Sequence, residues 1–207
     1  MYEIELKAWV DDIPSTEEKI NSFAKYIGLT EKRDTYWRKK NSEVGIRIRQ
    51  ETGKPIIATW KQKNLKDGSV EINTEREFVI GSTEFTNDTI PNDKNAESFK
   101  NALDTFESFL KTSDFEISLQ KYKSTKTWHH KTEEFDLITI EISYVEFLGH
   151  FIEIEILSEK NDDETISMAQ NCLHETLQKC GISKDRIETR YYWQLLKEKS
   201  GIAGQER

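Results

Sequence analysis

Several short segments of the chain alternate charged and apolar residues, and most of these segments carry charges of one sign. The first, EIELK, places Glu3, Glu5 and Lys7 at every second position. A period of two is typical of a β-strand in which the charged side chains share one face and the apolar side chains share the other. The chain is therefore expected to contain strands with one apolar face and one charged face.

These charged faces are sorted by sign. EIELK joins two acids to one base, and the other strands carry pairs of a single sign: Arg47 with Arg49, Lys61 with Lys63, Lys121 with Lys123, and Glu153 with Glu155. A solvated sheet face would more often mix signs, because like charges side by side are unfavourable and opposite charges help. The sorting indicates a protected face that binds a charged ligand.

The order of strands and helices predicts an α+β fold. Strands are expected at residues 2–10, 35–38, 43–50, 56–63, 70–80, 115–126, 127–143 (interrupted) and 151–157, with a turn at Asp67-Gly68 and a loop over 81–95. Helices are expected at 14–28, capped by Ser15 or Thr16 and ended by Gly28, at 99–110, at 163–179 and near 191–196. About eight mostly consecutive strands with helices between them predict a closed antiparallel eight-stranded β-barrel, with the helices packed on the outside. We expect one domain over residues 1–197 and a disordered polar tail over 198–207.

Composition limits the partners and the location. The formal net charge is -8, whereas non-specific binding to nucleic acid or to a membrane surface needs a basic face, so we expect neither partner. The chain has no basic, apolar leader and no long uncharged run that could span a bilayer. Cys172 and Cys180 would lie ~12 Å apart on one helix, too far for a disulfide, so we expect core thiols in a reducing compartment. A cytoplasmic protein is predicted.

The two acidic strands would be neighbours where the barrel closes, which gathers Glu3, Glu5, Glu153 and Glu155. Carboxylates so close together are unfavourable unless a cation neutralises them, and oxygen ligands suit Mg²⁺ or Mn²⁺. The opposite wall would carry Lys7, Arg47, Arg49, Lys61, Lys121 and Lys123. A divalent metal and many cations around one cavity fit a polyphosphate ligand, to which arginine makes forked contacts.

An ordered set of motifs resembles the CYTH family, the triphosphate tunnel metalloenzymes, which include class IV adenylyl cyclases and thiamine-triphosphatase-like hydrolases. EIELK resembles the ExExK signature of the family, DTYW its acidic-aromatic second strand, GIRIR its LRIR segment, TWK its lysine strand, LGHFIEIE its ExE strand and YYWQLL its SYxxLL-like terminal helix. The resemblance runs from Glu3 to about Leu196, and the ordered set is more specific than ExExK alone.

The resemblance implies a tunnel that binds a triphosphate with a divalent metal, in a protein of a kind that is often a homodimer. The implied metal ligands are Glu3, Glu5, Glu153 and Glu155, and the implied phosphate-binding residues are Lys7, Arg47, Arg49, Lys61, Lys121 and Lys123. Of the latter, Lys7, Arg47 and Arg49 are expected to be catalytic, through stabilisation of the charge that develops in the transition state.

Two positions depart from the family pattern. Ser143 in SYVEFLG stands where the family usually has an aspartate, and Glu141, two residues upstream on the same strand face, could supply the carboxylate as a metal ligand. Lys123 stands where an arginine is common, which would lose forked contacts to phosphate.

Three functions remain open. The layout around EIELKAWV most resembles the class IV adenylyl cyclase branch, which converts ATP to cyclic AMP and pyrophosphate. The alternative is a triphosphatase that hydrolyses an inorganic or organic triphosphate such as thiamine triphosphate. The third is a polyphosphate-binding module without catalysis.

Overall fold

The computed structural model describes the backbone of residues 2–40, 45–66, 70–82 and 94–199, and the side chains of residues 2–40, 45–60, 76–81 and 102–199. The strands are β1 (Tyr2–Trp9), β2 (Lys25–Lys39), β3 (Gly45–Glu51), β4 (Pro55–Lys66), β5 (Val70–Ser82), β6 (Phe115–His130), β7 (Ile138–Val145) and β8 (Gly149–Ser158). The helices are α1 (Ile13–Asn21), α2 (Lys94–Thr112), α3 (Asp163–Lys179) and α4 (Tyr192–Lys199), with a 3₁₀ turn at Lys184–Arg186.

The strands are hydrogen-bonded in the order β1-β5-β4-β3-β2-β6-β7-β8, and this order closes on itself. Closure occurs at β1, which pairs antiparallel with both β5 and β8. The predicted α+β fold with a closed antiparallel eight-stranded sheet is confirmed. The expected turn at Asp67-Gly68, residues 83–93 of the expected loop and residues 200–207 of the expected tail lie outside the described residues.

Two compact units make up the chain: a first unit of Met1–Leu29, Gln62–Thr74 and Ser124–Arg207, and a second unit of Thr30–Lys61 and Glu75–Lys123. In the first unit, α1 and α3 cover the apolar face of β1, β7 and β8. Ile4, Leu6 and Ile154 are fully buried there against Leu173 and Leu177 of α3. Each such side chain stabilises the unit by ~1.5–3 kcal/mol. This packing turns the charged face of the same strands away from the helices.

The second unit repeats this arrangement with α2. Trp37 of β2, Ile48 of β3 and Ile56 of β4 are buried in one cluster with Leu110 of α2. Because side chains alternate along a strand, this apolar cluster leaves Asp34, Tyr36, Arg47 and Arg49 on the other face.

The predicted end of the first helix is wrong. The helix ends at Asn21, and residues 25–28 belong to β2, which begins at Lys25 rather than near residue 35. At this end of the helix, the Nε1–H of Trp128, 107 residues away, donates to Asn21 Oδ1 at 2.7 Å. The N-cap is also different from the predicted one: Asp12 Oδ1 accepts from the Ser15 N–H at 3.1 Å.

The predicted strand boundary between residues 126 and 127 is wrong, because β6 continues unbroken to His130. The predicted interruption within 127–143 is confirmed and falls at residues 131–137. That segment forms its own turn, in which the Thr132 N–H donates to the Phe135 carbonyl at 3.0 Å and the Phe135 N–H donates to Thr132 Oγ1 at 3.1 Å. The prediction of α3 at 163–179 is confirmed, and Gly181 follows with φ of 77°, the left-handed region that favours glycine.

Both cysteines are free and buried in the core, as predicted. Burial raises the pKa of the Cys180 thiol to about 12, so this thiol is protonated and inert at neutral pH. No helix among the residues that the structure describes has the length and apolarity to cross a membrane.

Candidate functional site

The charged residues of β1, β7 and β8 form adjacent rows on one face, called here the acidic face. In the first row, Lys7 lies opposite Glu153, and Glu153 lies opposite Glu141. In the next row, Glu5 lies opposite Glu155. Directly opposed residues have Cβ atoms ~4.5–5.5 Å apart, so four carboxylates and one ammonium group share a small area.

Glu3 lies one row further along β1. It is opposite Leu157, a residue that is 52% exposed, so this row is closer to solvent than the row of Lys7, which is 8% exposed. The structure therefore places Glu5, Glu141, Glu153 and Glu155 close together, and it places Glu3 one row further out.

The buried phenol of Tyr192, the first residue of α4, marks where the acids converge. Burial raises the pKa of the Tyr192 hydroxyl well above its usual value, and the negative charge of Glu153 raises it too. The charges of Glu5 and Glu141 raise the pKa further. Three carboxylates from three strands therefore act on one hydroxyl group.

Lys7 is held beside this phenol. Only 8% of the residue is exposed, its Nζ donates to the Arg190 carbonyl at 2.5 Å, and Nζ lies 4.5 Å from the centroid of the Tyr192 ring. An ammonium over an aromatic face is attracted by the ring quadrupole. Lys7 is thus fixed next to the acids.

The segment before α4 is tied to β1. Ile187 forms a bridge with Ala8, and the Glu188 N–H donates to the Lys7 carbonyl at 2.8 Å. Buried Glu188 accepts hydrogen bonds from Arg190 Nε at 2.8 Å and from Trp9 Nε1 at 3.2 Å. The hydrogen bonds from the Arg190 side chain, with the other contacts, lower the pKa of Glu188 to about 2.

Among the described residues, no three His, Cys, Asp or Glu side chains already form a group that could hold a metal ion. The donor set of the acidic face is nevertheless one that suits Mg²⁺ or Mn²⁺, because it consists of carboxylate oxygens on adjacent strands. Directly opposed residues on adjacent strands have Cβ atoms ~4.5–5.5 Å apart, a separation at which two carboxylates can share one ion. The residues present therefore fit a hard divalent cation.

The second unit gathers cations around a carboxylate on what is called here the cationic face. The Asp34 side chain is fully buried and accepts a fork from Arg49, with Nε at 2.8 Å and Nη2 at 2.9 Å. Lys121 Nζ lies 3.1 Å from Asp34 Oδ2, and the Tyr36 hydroxyl donates to the same oxygen at 3.4 Å. Burial would raise the pKa of Asp34, but Arg49 and Lys121 outweigh it and hold this pKa well below its usual value.

Arg47 lies on the same face with different partners. Its Nη2 donates to Thr59 Oγ1 at 3.1 Å and lies 3.7 Å from Glu77 Oε1, which also accepts from the Thr59 hydroxyl at 3.0 Å. The Glu77 side chain is 46% exposed, whereas that of Asp34 is fully buried. Both predicted arginines thus lie on this face. Arg49 is held by a fully buried carboxylate, and Arg47 is next to a half-exposed one.

Lys123 is also buried, at 4% exposure, two positions along β6 from Lys121. The side chain of Lys61 lies outside the described residues. Sequence reasoning missed Lys32, which is 6% exposed and shares the face of Asp34. The signal was present in LTEKRDTYWRK, because Lys32, Asp34 and Tyr36 occur at every second position.

At Ser143, where the sequence departs from the family pattern, the structure has a buried pair of hydroxyl groups. Ser143 and Thr125 are fully buried, and their Oγ atoms lie 3.0 Å apart. Glu141 lies on the same face of β7 and accepts from the Thr127 hydroxyl at 3.4 Å. The hydroxyl pair therefore occupies the position where the family pattern has an aspartate, and Glu141 supplies a carboxylate one row away.

A comparison with protein-family models shows which family the chain belongs to. The family model of the CYTH domain matches residues 1–192. The chain belongs to the CYTH family. This CYTH domain has no significant match among curated protein sequences.

Solved structures share the fold. The PH1819 protein from Pyrococcus horikoshii OT3 is similar at 24% identity and a TM-score of 0.68, over 95% of this chain and 99% of that chain. A candidate adenylate cyclase from Vibrio parahaemolyticus is similar at 15% identity and a TM-score of 0.66, over 95% and 98%. A candidate adenylyl cyclase from Hippeastrum with a dominant triphosphatase activity is similar at 14% identity and a TM-score of 0.58, over 96% of each chain. At these identities the likeness concerns the fold.

Proposed function

We propose that this CYTH domain is a divalent-metal-dependent enzyme that acts on the triphosphate group of a small molecule. The observation that carries the proposal is the sorting of charge by sign on buried strand faces. Glu5, Glu141 and Glu153 converge in the first unit, and Arg49 and Lys121 converge in the second. Buried carboxylates close together favour a bound cation, so the acidic face fits a divalent ion. On the cationic face, Asp34 orients Arg49 and Lys121, and donors of this kind fit phosphate oxygens.

In this proposal the residues have separate roles. The metal ligands are drawn from Glu3, Glu5, Glu141, Glu153 and Glu155. The bound ion would neutralise part of the phosphate charge and hold the triphosphate in place. The phosphate oxygens are bound by Lys7, Arg47, Arg49, Lys61, Lys121 and Lys123.

The catalytic contribution of Lys7, Arg47 and Arg49 is electrostatic. Phosphoryl transfer places charge on the phosphate oxygens in the transition state, and donors that are already oriented stabilise this charge without reorganisation. Arg49 is oriented in advance by the fork to Asp34. An arginine in this position can present its remaining N–H groups to phosphate oxygens.

We propose ATP cyclisation as the reaction. The 3′-oxygen attacks the α-phosphorus, the bond between that phosphorus and the bridging oxygen breaks, pyrophosphate leaves, and the hydroxyl proton passes to solvent. This requires the 3′-oxygen ~3–3.5 Å from the α-phosphorus. Hydrolysis of a triphosphate is the alternative: water attacks the terminal phosphorus, the bond from that phosphorus to its bridging oxygen breaks, the diphosphate leaves, inorganic phosphate forms, and the water proton passes to solvent. The same charged residues serve both reactions.

Calorimetric titration with tripolyphosphate tests the binding part of the proposal. We expect tight binding with Mg²⁺ or Mn²⁺ and much weaker binding without them, because the metal offsets repulsion between carboxylates and phosphate. Glu153→Gln should reduce the metal dependence by about 10–100-fold, and Glu159→Gln, at an exposed position, serves as the matched control. Equal affinity with and without metal would refute the metal assignment.

Product analysis tests the reaction. The purified protein is incubated with ATP and, separately, with inorganic triphosphate, and the products are separated by chromatography. Cyclic AMP with pyrophosphate would establish the cyclase. Phosphate from inorganic triphosphate without cyclic AMP from ATP would establish the triphosphatase. Tight binding with no product from either substrate would favour the non-catalytic module.

We also propose a cytoplasmic location and a homodimer. The free, buried thiols of Cys172 and Cys180 fit a reducing compartment. Light scattering after gel filtration measures the oligomeric state, and a monomer at micromolar concentration would contradict the dimer.

A further inference from the structure

We propose that Glu188 and Arg190 are positioning residues, which act on phosphate binding by fixing the ammonium group of Lys7. This inference rests on the proposed function and adds a role for the segment before α4, which supplies none of the predicted site residues. The observation that carries it is a continuous set of hydrogen bonds. They run from the Glu188 carboxylate to the main chain and side chain of Arg190, and from the Arg190 carbonyl to Lys7 Nζ.

The Arg190 carbonyl gives the Lys7 ammonium group a fixed direction. Lys7 Nζ donates to this carbonyl at 2.5 Å and lies 4.5 Å from the centroid of the Tyr192 ring. An ammonium group has three N–H donors, so an acceptor for one of them sets the directions of the other two. Because a carbonyl carries no net charge, it orients Lys7 without adding a counter-ion. The position of this carbonyl therefore decides how Lys7 meets a phosphate oxygen.

The buried carboxylate of Glu188 holds the residue that bears this carbonyl. Glu188 is 7% exposed, and its Oε1 accepts from the Arg190 backbone N–H at 2.9 Å and from Arg190 Nε at 2.8 Å. Its Oε2 accepts from Arg190 Nη2 at 2.5 Å. Forked hydrogen bonds between a guanidinium group and a carboxylate are stronger and more directional than those between neutral groups. One carboxylate thus fixes both the main chain and the side chain of Arg190.

Glu188 is also bound to the strand that carries Lys7. Its backbone N–H donates to the Lys7 carbonyl at 2.8 Å, and its Oε2 accepts from Trp9 Nε1 at 3.2 Å. Glu188 therefore contacts the main chain of Lys7 on one side and the main chain of Arg190 on the other. The distance from the Lys7 backbone to the carbonyl that receives its ammonium group is set through this one residue.

The outer contact of Arg190 provides a matched control. Arg190 Nη1 donates to Glu198 Oε2 at 2.7 Å, and the two side chains are 46% and 51% exposed. Ion pairs at such exposed positions contribute little, because solvent screens them. Glu198→Gln therefore removes a carboxylate from the same guanidinium group and leaves the fork to Glu188 in place.

Calorimetric titration with tripolyphosphate at saturating Mn²⁺ tests the inference. Glu188→Gln replaces an acceptor oxygen by an NH₂ group that cannot accept from Arg190, so tripolyphosphate affinity should fall by about tenfold, as for a lost hydrogen bond to a charged group. Arg190→Met removes the fork from the other side and should lower the affinity in the same direction. Glu198→Gln should leave the affinity unchanged. If thermal unfolding shows that Glu188→Gln is not folded at the titration temperature, Arg190→Met takes its place below.

A Lys7→Met background distinguishes positioning from packing. Lys7→Met should itself lower tripolyphosphate affinity by tenfold or more, and Glu188→Gln added to it should cause no further loss, because no ammonium group is left to position. The same loss with and without Lys7 would show a purely structural role and would refute the inference, as would unchanged affinity in Glu188→Gln.

The controls separate this inference from the proposed function. If the wild-type protein binds no tripolyphosphate with Mn²⁺, the proposed function fails and the inference fails with it. If the wild-type protein binds and Lys7→Met binds equally well, the phosphate-binding role of Lys7 is wrong and so is the inference. Wild-type binding that is weakened by Lys7→Met but not by Glu188→Gln overturns the inference alone.

Discussion

Asp34→Asn is a perturbation for which the structure gives a large expected loss of stability. The wild-type carboxylate is fully buried between the Arg49 fork at 2.8 and 2.9 Å and Lys121 Nζ at 3.1 Å. These three side chains carry one negative and two positive charges. The amide has nearly the same volume, so the substitution leaves two neighbouring cations without their shared counter-ion.

The magnitude follows from the burial of the partners. Removal of one member of a buried ion pair costs about 3–5 kcal/mol, and the 22% exposure of the Arg49 side chain favours the lower end. A loss of ~3 kcal/mol corresponds to a fall in melting temperature of roughly 6–12 °C for a chain of this size. Urea and thermal unfolding followed by circular dichroism at pH 7 measure both quantities. Asp136→Asn, which breaks the exposed pair with Lys131, is the control and should leave the melting temperature unchanged.

A double variant identifies the cause. If the loss arises from uncompensated positive charge, Asp34→Asn combined with Lys121→Met restores the original net charge and should be more stable than Asp34→Asn alone. A double variant that loses the sum of both single effects would refute the electrostatic reasoning, and so would a fully stable Asp34→Asn. Because the folded pKa of Asp34 is depressed, its contribution is present above the unfolded pKa of about 3.9 and is lost as the pH falls through the lower folded pKa. The difference between wild type and variant should therefore be constant from about pH 5 upward and shrink only in stronger acid.

Other predictions concern the first unit. Glu188→Gln should lower the free energy of unfolding by ~1–2 kcal/mol at pH 7, because the half-exposed Arg190 screens part of the interaction. The folded pKa of Glu188 is depressed to about 2, so this difference should disappear as the pH falls from about 4.3 to about 2, and an equal difference at both ends would contradict the assignment. Glu141→Gln should weaken metal-dependent activity by about 10–100-fold, as a change of Glu153 would, whereas Ser143→Ala should do little. Steady-state kinetics with varied Mn²⁺ measures both, and a silent Glu141→Gln would show that Glu141 does not replace the family aspartate.

The strand faces could be predicted from the sequence because alternation is a local property. In EIELK and FIEIEIL each charged residue has apolar neighbours on both sides, so one buried apolar face assigns all of them. The helix α3 could be predicted equally well, because the residues that mark its two ends are close to it in the sequence. Asp162 Oδ1 accepts from the Thr165 N–H at 2.9 Å at the start, and Gly181 follows the end with a positive φ.

The errors occur where distant residues decide the local structure. The stripe of Ile20, Phe23, Ala24 and Ile27 has helical spacing, yet the chain leaves the helix at Asn21, whose side chain accepts from Trp128, 107 residues away. Tertiary contacts override a local pattern when the two compete. The same limit applies to the partners of Arg49. No spacing in the sequence reveals that its guanidinium group donates two hydrogen bonds to Asp34.

The acidic and cationic faces differ in how their charged side chains are held before a ligand binds. Around Asp34, a buried counter-ion of the chain itself holds Arg49 and Lys121 in place, so these donors are oriented before any ligand arrives. On the acidic face, Glu5, Glu141, Glu153 and Glu155 lie on three adjacent strands beside Lys7. A bound divalent ion would offset the repulsion between these carboxylates and a phosphate group, so we expect phosphate binding to depend on the ion. If that reasoning holds, tripolyphosphate affinity should rise with Mn²⁺ concentration until the acidic face is saturated and should not rise further.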